Sequence, residues 1–255
     1  MRIALKAVGD IGTRAGKILL AEASLAALGM YGPQEGQRAA DRKVMVIREL
    51  TGFDVLATDD ADLASGLAGI AADDGLSCVL TTTNVDTELA ERFASAGTTL
   101  LVGANLADGL AAALTAHEQA QPDQVTSTTA AWTVPGHAVR RGTVIPFPEP
   151  IGPRWGRRVG KRRSKSGTRR VAVPISGDWA GATVIVEGFD DGQPVTRIIG
   201  IADQADHLEA IALAAGVLAV AEGAYGPGLQ RPADNASAYL AAALRVGLGI
   251  AAFTD

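Results

Sequence analysis

The stretch that decides the fold lies near the amino terminus and reads Val8-Gly9-Asp10-Ile11-Gly12-Thr13-Arg14-Ala15-Gly16. It stands between an apolar run over residues 3–8, which predicts the first strand, and a helical pattern from about Thr13 to Leu28. A dinucleotide requires such a turn. Small residues let the backbone approach the pyrophosphate, and a helix amino terminus supplies unpaired N–H groups at the positive end of its dipole.

The spacing of this turn is Gly-x-x-Gly-x-x-Ala, with Gly16 one residue beyond, rather than the commoner Gly-x-Gly-x-x-Gly. An ordinary tight turn between a strand and a helix is the alternative interpretation. The position on the first strand, ahead of several further strand–helix units, favours the dinucleotide. The predicted cofactor contacts in the turn are Gly9, Asp10, Ile11, Gly12, Thr13 and Arg14.

Beyond the turn, short apolar runs alternate with helical patterns as far as about residue 121. The predicted strands are 28–32, 43–50, 53–58, 77–82 and 98–102, and the predicted helices are 61–72, 86–95 and 106–119. Because these strands are continuously apolar rather than alternating, we expect a parallel sheet that is covered on both faces. Residues 1–122 are therefore predicted to form a doubly wound, Rossmann-type α/β domain.

The pattern changes at Gln121-Pro122-Asp123. Strands are predicted over 125–133, 140–146, 170–175, 182–188 and 195–201, with a hairpin turn at Asp190-Asp191-Gly192. A helix over 206–222, a turn-rich break over 224–232 and a helix over 235–246 follow. Residues 123–234 are predicted to form a second, α+β domain on an open, mostly antiparallel sheet, which binds substrate and a partner subunit.

Composition excludes several classes of protein. Cys78 is the only cysteine of 255 residues, so an intrachain disulfide framework and a cysteine zinc cluster are excluded. The net charge of −5 argues against a dedicated nucleic-acid binder. Residues 1–6 have no signal-peptide architecture, and the longest apolar run, 210–221, is shorter than the roughly 20 residues of a membrane span. We expect a cytoplasmic protein without a membrane partner.

An acidic residue that binds the adenosine ribose is expected about 20 residues after the turn, at the end of the second strand. Glu35 is the nearest candidate, whereas Arg38 and Arg42 could instead meet a 2′-phosphate. A solvated loop is the alternative interpretation. The cofactor is therefore NAD or NADP, and this segment leaves the choice open.

Several stretches resemble the amino-terminal domain of dihydrodipicolinate-reductase-like and saccharopine-dehydrogenase-like proteins. They are the turn with Gly9, Gly12 and Ala15, the strand end Thr58-Asp59-Asp60, the run Leu80-Thr81-Thr82-Thr83-Asn84 and the segment Ser95–Leu106. The resemblance covers roughly residues 1–120 and thereafter mainly the domain order. It implies a nicotinamide flanked by Thr58, Asp59, Thr81, Thr82 and Asn84. It also implies a second domain whose open sheet packs against a partner subunit, and a carboxyl-terminal segment, 235–250, that returns to the first domain.

The resemblance does not extend to the catalytic motifs. Dihydrodipicolinate reductases carry a histidine pair, a lysine and then Ser-Gly-Thr leading into a helix. Here Ser166-Gly167-Thr168 follows Lys165 without the histidines. That substrate is therefore not expected.

Candidate proton donors are few. His117 and His207 lie at predicted helix ends, where they serve as caps or surface charge, so the catalytic candidates are His137, Glu149 and Asp178. The sequence has no spacing of His, Asp and Glu typical of a metal site. Residues 154–170 hold nine Lys or Arg and no acidic residue. This basic segment is interpreted as an open loop between strands, with capture of an anionic ligand and nucleic-acid binding as alternatives.

These features predict an NAD(P)-dependent oxidoreductase that transfers hydride to or from a small anionic metabolite in the cleft between the domains. The alternative is a catalytically silent NAD(P)-binding sensor or regulatory protein. Five predicted strands with few helices to cover them also predict a homodimer through the second domain.

Overall fold

The computed structural model describes residues 1–32, 41–120, 124–133, 144–145, 169–170 and 179–254. Four predicted site residues lie outside these ranges, namely Glu35, His137, Glu149 and Asp178. The basic segment lies outside them as far as residue 168.

The strands are β1 Arg2–Lys6, β2 Ala27–Tyr31, β3 Val44–Ile47, β4 Val55–Thr58, β5 Ser77–Leu80, β6 Thr99–Leu101, β7 Gln124–Thr133, β8 Val144–Ile145, β9 Arg169–Arg170, β10 Trp179–Asp190, β11 Gln193–Gln204, β12 Gly228–Gln230 and β13 Ala251–Thr254. The helices are α1 Asp10–Leu20, α2 Ala64–Asp73, α3 Thr87–Ala96, α4 Ala112–Gln119, α5 Ala205–Ala221 and α6 Ala236–Arg245. A π-helical segment, Leu106–Ala111, leads into α4, and a 3-10 turn, Pro232–Asn235, leads into α6.

Seven parallel strands form the larger sheet, in the order β12-β6-β5-β4-β1-β2-β3. Read from β3, this is the 3-2-1-4-5-6 order of dinucleotide-binding folds with β12 added at the edge. The direction in which successive strands are added reverses between β1 and β4. In open α/β sheets, ligands bind in the crevice that this reversal leaves beyond the carboxyl ends of the strands. The predicted doubly wound sheet is confirmed.

Helices cover both faces of this sheet, as its strands predict. Alternate residues of β4 enter the two cores: Val55 and Ala57 pack in the layer of α1 and α5, and Leu56 packs in the layer of α2 and α3. Helix α5 lies so close to the strands that a Cβ at Gly216 would be 3.0 Å from Leu101 Cδ2. The close packing of α5 on β5 and β6 thus depends on a glycine.

The smaller sheet is antiparallel, in the order β13-β11-β10-β7. Strands β10 and β11 join in the predicted hairpin, where Asp191 (φ 50°) and Gly192 (φ 76°) both have left-handed backbones, as a two-residue hairpin turn requires. Val184 and Val186 of β10 belong to the same buried cluster as α5, so one continuous core joins the two sheets. The predicted second, antiparallel sheet is confirmed. Strands β8 and β9 form a separate antiparallel pair.

Several predicted boundaries are wrong for identifiable reasons. The helix predicted from Thr13 to Leu28 ends at Leu20, because Ala26 N–H donates to Met1 C=O (2.8 Å) and β2 pairs with β1 from Ala27 onward. The predicted turn-rich break over 224–232 contains β12, which pairs with β6. Only pairing with a distant strand defines so short an element, and local sequence does not indicate it.

The sequence assigned α5 and β12 to the second domain. In the structure, α5 packs on β4, β5 and β6, and β12 completes the larger sheet. The division of the chain at residue 122 stays a prediction. In the part of the chain that the structure describes, no helix has the length and apolar character needed to cross a bilayer.

Candidate functional site

The candidate site lies at the strand-end edge, by which we mean the loops that follow β1, β4, β5 and β6 at the carboxyl ends of the parallel strands. These four strands are adjacent in the sheet, so their loops are neighbours. The edge includes the point between β1 and β4 where the strand order reverses. This is the place at which an open α/β sheet binds its ligand.

The glycine turn forms the part of this edge after β1. Gly9 caps α1 in an extended conformation (φ −131°) without a side-chain cap from the turn itself. A Cβ at Gly12 would lie 2.8 Å from the backbone Cα of Ala7, a separation that real Cβ atoms do not show. At Gly16 it would lie 3.2 Å from Leu5, so Gly16 lets α1 pack tightly on β1. Both glycines therefore let the start of α1 pack tightly against the end of β1.

Asp59, directly after β4, fills the turn. Its Oδ1 accepts a hydrogen bond from Val8 N–H (2.9 Å), and its Oδ2 accepts from Gly9 N–H (3.2 Å) and Gly12 N–H (2.8 Å). A carboxylate at the positive end of a helix, bound by several amides, is strongly stabilised. The amide groups that a pyrophosphate would use thus already bind an anion of the same chain.

Thr58 fixes the backbone that carries Asp59. The Thr58 side chain is 1% exposed; its Oγ1 donates to Lys6 C=O (3.0 Å) and accepts from Asp60 N–H (3.0 Å). These bonds join the ends of β1 and β4. Thr58 therefore supports the strand-end edge from beneath.

The loops after β5 and β6 are joined by hydrogen bonds. Gly103, which has a left-handed backbone (φ 75°), donates its N–H to Thr82 C=O (2.9 Å). Asn105 Nδ2 donates to Thr81 C=O (2.8 Å) and to Asp108 Oδ2 (3.0 Å), while Asn105 Oδ1 caps the π-helical segment through Asp108 N–H (2.7 Å). The two loops behave as one unit in which Asn105 is the central connection.

Glu209 on α5 lies behind this unit. The residue is 8% exposed, and its Oε2 accepts from Leu106 N–H (3.0 Å). Burial raises the pKa of Glu209 to about 7; the Leu106 amide opposes this rise, and the charges of Asp108 and Asp206 add to it. A carboxyl group that gains and loses its proton near neutral pH therefore holds the start of the π-helical segment.

The structure brings together Gly9, Gly12 and Asp59, and it places Thr81 and Thr82 in the loop after the neighbouring strand β5. Asp10, Thr13 and Asn84 are exposed, whereas Ile11 is half-buried. Arg14 points toward the smaller sheet, where its Nη1 donates to Gln204 Oε1 (3.3 Å). Together with the buried Thr58, these residues were the described part of the predicted cofactor site, and their contacts with a cofactor stay a prediction.

Sequence reasoning missed three residues of the candidate site, namely Asn105 and Asp108 at the strand-end edge and Glu209 on α5 behind it. Asn105 lies shortly after the predicted strand 98–102 and directly ahead of the predicted helix 106–119, the place of a typical amino-terminal cap, so the sequence held a usable signal for it. Glu209 had no such signal. It interacts with Leu106, which lies 103 positions earlier in the chain.

Comparisons with known proteins rest on the fold. No protein-family model and no curated protein matches the chain. Several solved structures match the chain by their fold. The DAP dehydrogenase of C. glutamicum in complex with DAP has a TM-score of 0.60 and 14% identity, and the match covers 94% of this chain and 95% of that one. The chain has the fold of this dehydrogenase.

Two further solved structures give the same result. An engineered D-amino acid dehydrogenase bound to NADP+ has a TM-score of 0.58 and 13% identity, with coverage of 94% of this chain and 95% of that one. A meso-DAP dehydrogenase variant from Clostridium tetani with DAP has a TM-score of 0.58 and 15% identity, with coverage of 94% and 96%. The resemblance to two-domain Rossmann-type oxidoreductases is therefore confirmed as a likeness of fold.

Proposed function

We propose that the chain is an NAD(P)-dependent oxidoreductase that transfers hydride between the dinucleotide and a small anionic metabolite bound between the strand-end edge and the smaller sheet. The observation that carries the proposal is the position of the glycine turn. Its amides converge on one anionic group at the point where the strand order reverses. The neighbours with this fold support it, since one is bound to NADP+ and another is in complex with DAP.

The residues of the turn fit a dinucleotide. Gly12 leaves no room for a side chain, and the amides of Gly9 and Gly12 already bind a carboxylate in the way they would bind a phosphate oxygen. When bound, the dinucleotide supplies the hydride. The chain's own residues orient it: Gly9–Gly12 hold the pyrophosphate, and the joined loops at Thr81–Asn84 and Gly103–Asn105 flank the nicotinamide.

An apolar contact and a proton donor complete the proposed site. Val8 is 49% exposed beside the glycine turn and offers an apolar surface to a bound ligand. We retain His137, Glu149 and Asp178 as the candidates that deliver the proton to the substrate. Each of them lies outside the described residues.

We further propose that NADP is the preferred cofactor. An NAD site places an acidic residue at the end of the second strand, where it binds the ribose hydroxyls. Here β2 is followed by Gly32 (φ 63°), and Lys6 Nζ donates to Gly32 C=O (3.1 Å). The positive charge of Lys6 at this place suits a 2′-phosphate.

Titration of the full chain with NADPH and NADH, followed by the fluorescence of the reduced nicotinamide, tests this function. We expect saturable binding with NADPH the tighter ligand, followed by oxidation of bound NADPH when a panel of anionic imines and keto acids is added. Absence of binding by both dinucleotides would contradict the proposal.

A second candidate is the silent dinucleotide-binding sensor. The occupation of the turn by Asp59 favours it, because a regulated or vestigial cofactor site need not catalyse hydride transfer. Binding without hydride transfer to any substrate of the panel would support this candidate. A homodimer formed through the smaller sheet and a cytoplasmic location also stay proposals; light scattering that gives a single-chain mass across the micromolar range would contradict the dimer.

A further inference from the structure

We propose that the Asp59 carboxylate is a built-in competitor of the dinucleotide, which binds only when Asp59 leaves the glycine turn. This inference rests on the proposed function. It concerns the described contact between the end of β4 and the start of α1, and it makes Asp59 the residue that sets cofactor affinity.

The competition follows from the number of hydrogen-bond donors. The Asp59 carboxylate uses the N–H groups of Val8, Gly9 and Gly12, and Gly12 is the third residue of α1. Each of these amides has one hydrogen to donate. A pyrophosphate oxygen that accepts from the same amides must therefore replace an oxygen of Asp59.

The space at the turn leads to the same conclusion. A Cβ at Gly12 would lie 2.7 Å from Asp59 Oδ1, so the carboxylate lies against the surface that the absent side chain leaves open. A dinucleotide needs this surface for its pyrophosphate. Two anions that compete for one surface and one set of donors also repel each other.

The backbone on either side of Asp59 is fixed, so the side chain alone can move. Thr58 is tied to Lys6, and Asp60 Oδ1 accepts from Asp62 N–H (3.0 Å) and Leu63 N–H (3.1 Å) ahead of α2. Asp59 itself is half-buried and has access to solvent. Rotation of its side chain into solvent frees the turn without any change in the strands.

The affinity then depends on the fraction of molecules in which the turn is open. When only this fraction binds ligand, the apparent dissociation constant equals the intrinsic one divided by that fraction. Removing the negative charge weakens the hold of residue 59 on the turn amides and so raises this fraction. We expect Asp59→Asn and Asp59→Ser to bind NADPH at least about tenfold more tightly than the natural chain.

The two substitutions and a matched control separate competition from other effects. Asp59→Asn keeps the shape and removes the charge, whereas Asp59→Ser also shortens the side chain. The control is Asp60→Asn, which removes the neighbouring charge but alters bonds to residues 62 and 63 rather than to the turn. Its affinity for NADPH should stay within about twofold of the natural chain.

The experiment measures binding of NADPH and of inorganic pyrophosphate to the natural chain and the three variants by calorimetry. Tighter binding of both ligands by the two Asp59 variants alone is the expected result. If the natural chain binds NADPH and the Asp59 variants bind it equally or more weakly, the inference is overturned and the proposed function stands. If no variant binds NADPH but the Asp59 variants gain pyrophosphate binding, the competition stands and the proposed function fails.

A measurement on the natural chain covers the case in which neither Asp59 variant folds. On saturation with NADPH, the side-chain carboxyl ¹³C resonance of Asp59 should shift together with the amide resonances of Gly9 and Gly12. An unchanged Asp59 resonance at saturation would overturn the inference.

Discussion

Of the helical amino termini at the carboxyl ends of the parallel strands, two bind a carboxylate from elsewhere in the fold. At the start of α1, Asp59 accepts three backbone hydrogen bonds and is half-buried. At the π-helical segment before α4, Glu209 accepts one, from Leu106, and is only 8% exposed. Both acids accept hydrogen bonds from helix amino termini, but Asp59 is reached by solvent and Glu209 is buried.

The difference shows what decides the role of an acid at a helix end. Asp59 has several amide donors and access to solvent, so an external anion can take its place. Glu209 has one donor, an apolar environment and two neighbouring carboxylates, and burial raises its pKa to about 7. An accessible helix end with many donors can bind a ligand, whereas a buried one with few donors becomes a titrating part of the core.

The largest effect is expected from Gly12→Val. The new Cβ would lie 2.7 Å from Asp59 Oδ1 and 2.8 Å from Ala7 Cα, so it blocks the turn for either anion. We expect NADPH affinity to fall at least about 100-fold and the free energy of unfolding to fall by about 2–4 kcal/mol. Fluorescence titration and urea denaturation measure the two changes.

A matched control for this substitution is Gly66→Val on α2, where a Cβ would meet no atom within 4 Å. It should leave NADPH affinity unchanged. A folded Gly12→Val variant with natural affinity would show that the dinucleotide does not use this turn.

The second prediction concerns pH and Glu209. Its pKa is about 7 in the folded protein against an ordinary glutamate value of 4.5, so between these pH values the folded state keeps a proton that the unfolded state has lost. Raising the pH through this window therefore favours unfolding, by on the order of 3 kcal/mol in total. Glu209→Gln removes this titration and should flatten the fall in stability between pH 5 and pH 8.

Urea denaturation at several pH values measures this effect. The control is Glu91→Gln, an exposed residue on α3, which should keep the natural pH dependence. An equally steep fall in the Glu209→Gln variant would mean that another group is responsible, and the contrast with Asp59 would lose its basis.

The sequence could predict the features that depend on residues close together in the chain, and it could not predict those that join distant residues. The requirement at Gly12 is largely local, because the backbone of Ala7 leaves no room for a Cβ, and the glycine spacing reveals it. The apolar runs of β1, β4 and β5 likewise predict strands from neighbouring residues alone. The bonds that define the candidate site are not local: Asp59 and Gly12 are 47 positions apart, and Glu209 and Leu106 are 103 apart.

The same reasoning explains the missed strands. β12 has three residues and depends on parallel pairing with β6, which no pattern within residues 228–230 encodes. Burial had to be known before Glu209 could be recognised, because its raised pKa comes mainly from the loss of solvent.

The third prediction tests the cap at the second helix end. Asn105→Ala removes the hydrogen bonds to Thr81 C=O and Asp108 and the cap on Asp108 N–H. Loss of such a cap should lower the free energy of unfolding by about 1–2 kcal/mol. Asn105→Asp keeps an oxygen for the cap but donates to neither Thr81 C=O nor Asp108 Oδ2 and repels the Asp108 carboxylate, so it should also be less stable than the natural chain although the cap is kept. A loss below about 0.3 kcal/mol for Asn105→Ala would contradict the view that Asn105 joins the two loops.

The smallest effect is expected at Lys6, the last residue of β1, and it tests whether the accessible helix end belongs to a larger phosphate-binding surface. Its ammonium group bonds Gly32 C=O at the end of β2, where the 2′-phosphate of NADP would lie. Lys6→Met keeps the length of the side chain and removes the charge, so NADPH affinity should fall about three- to tenfold while NADH affinity stays the same.

The control is Lys17→Met, which removes an exposed charge from the last turn of α1 and corrects for the general loss of one positive charge. Fluorescence titration at two salt concentrations measures both ligands, and the difference between them should shrink at the higher salt because screening weakens the contact with the phosphate. Equal losses for NADPH and NADH would place the effect of Lys6 on the fold of the turn rather than on the 2′-phosphate, and the preference for NADP would then lose its support.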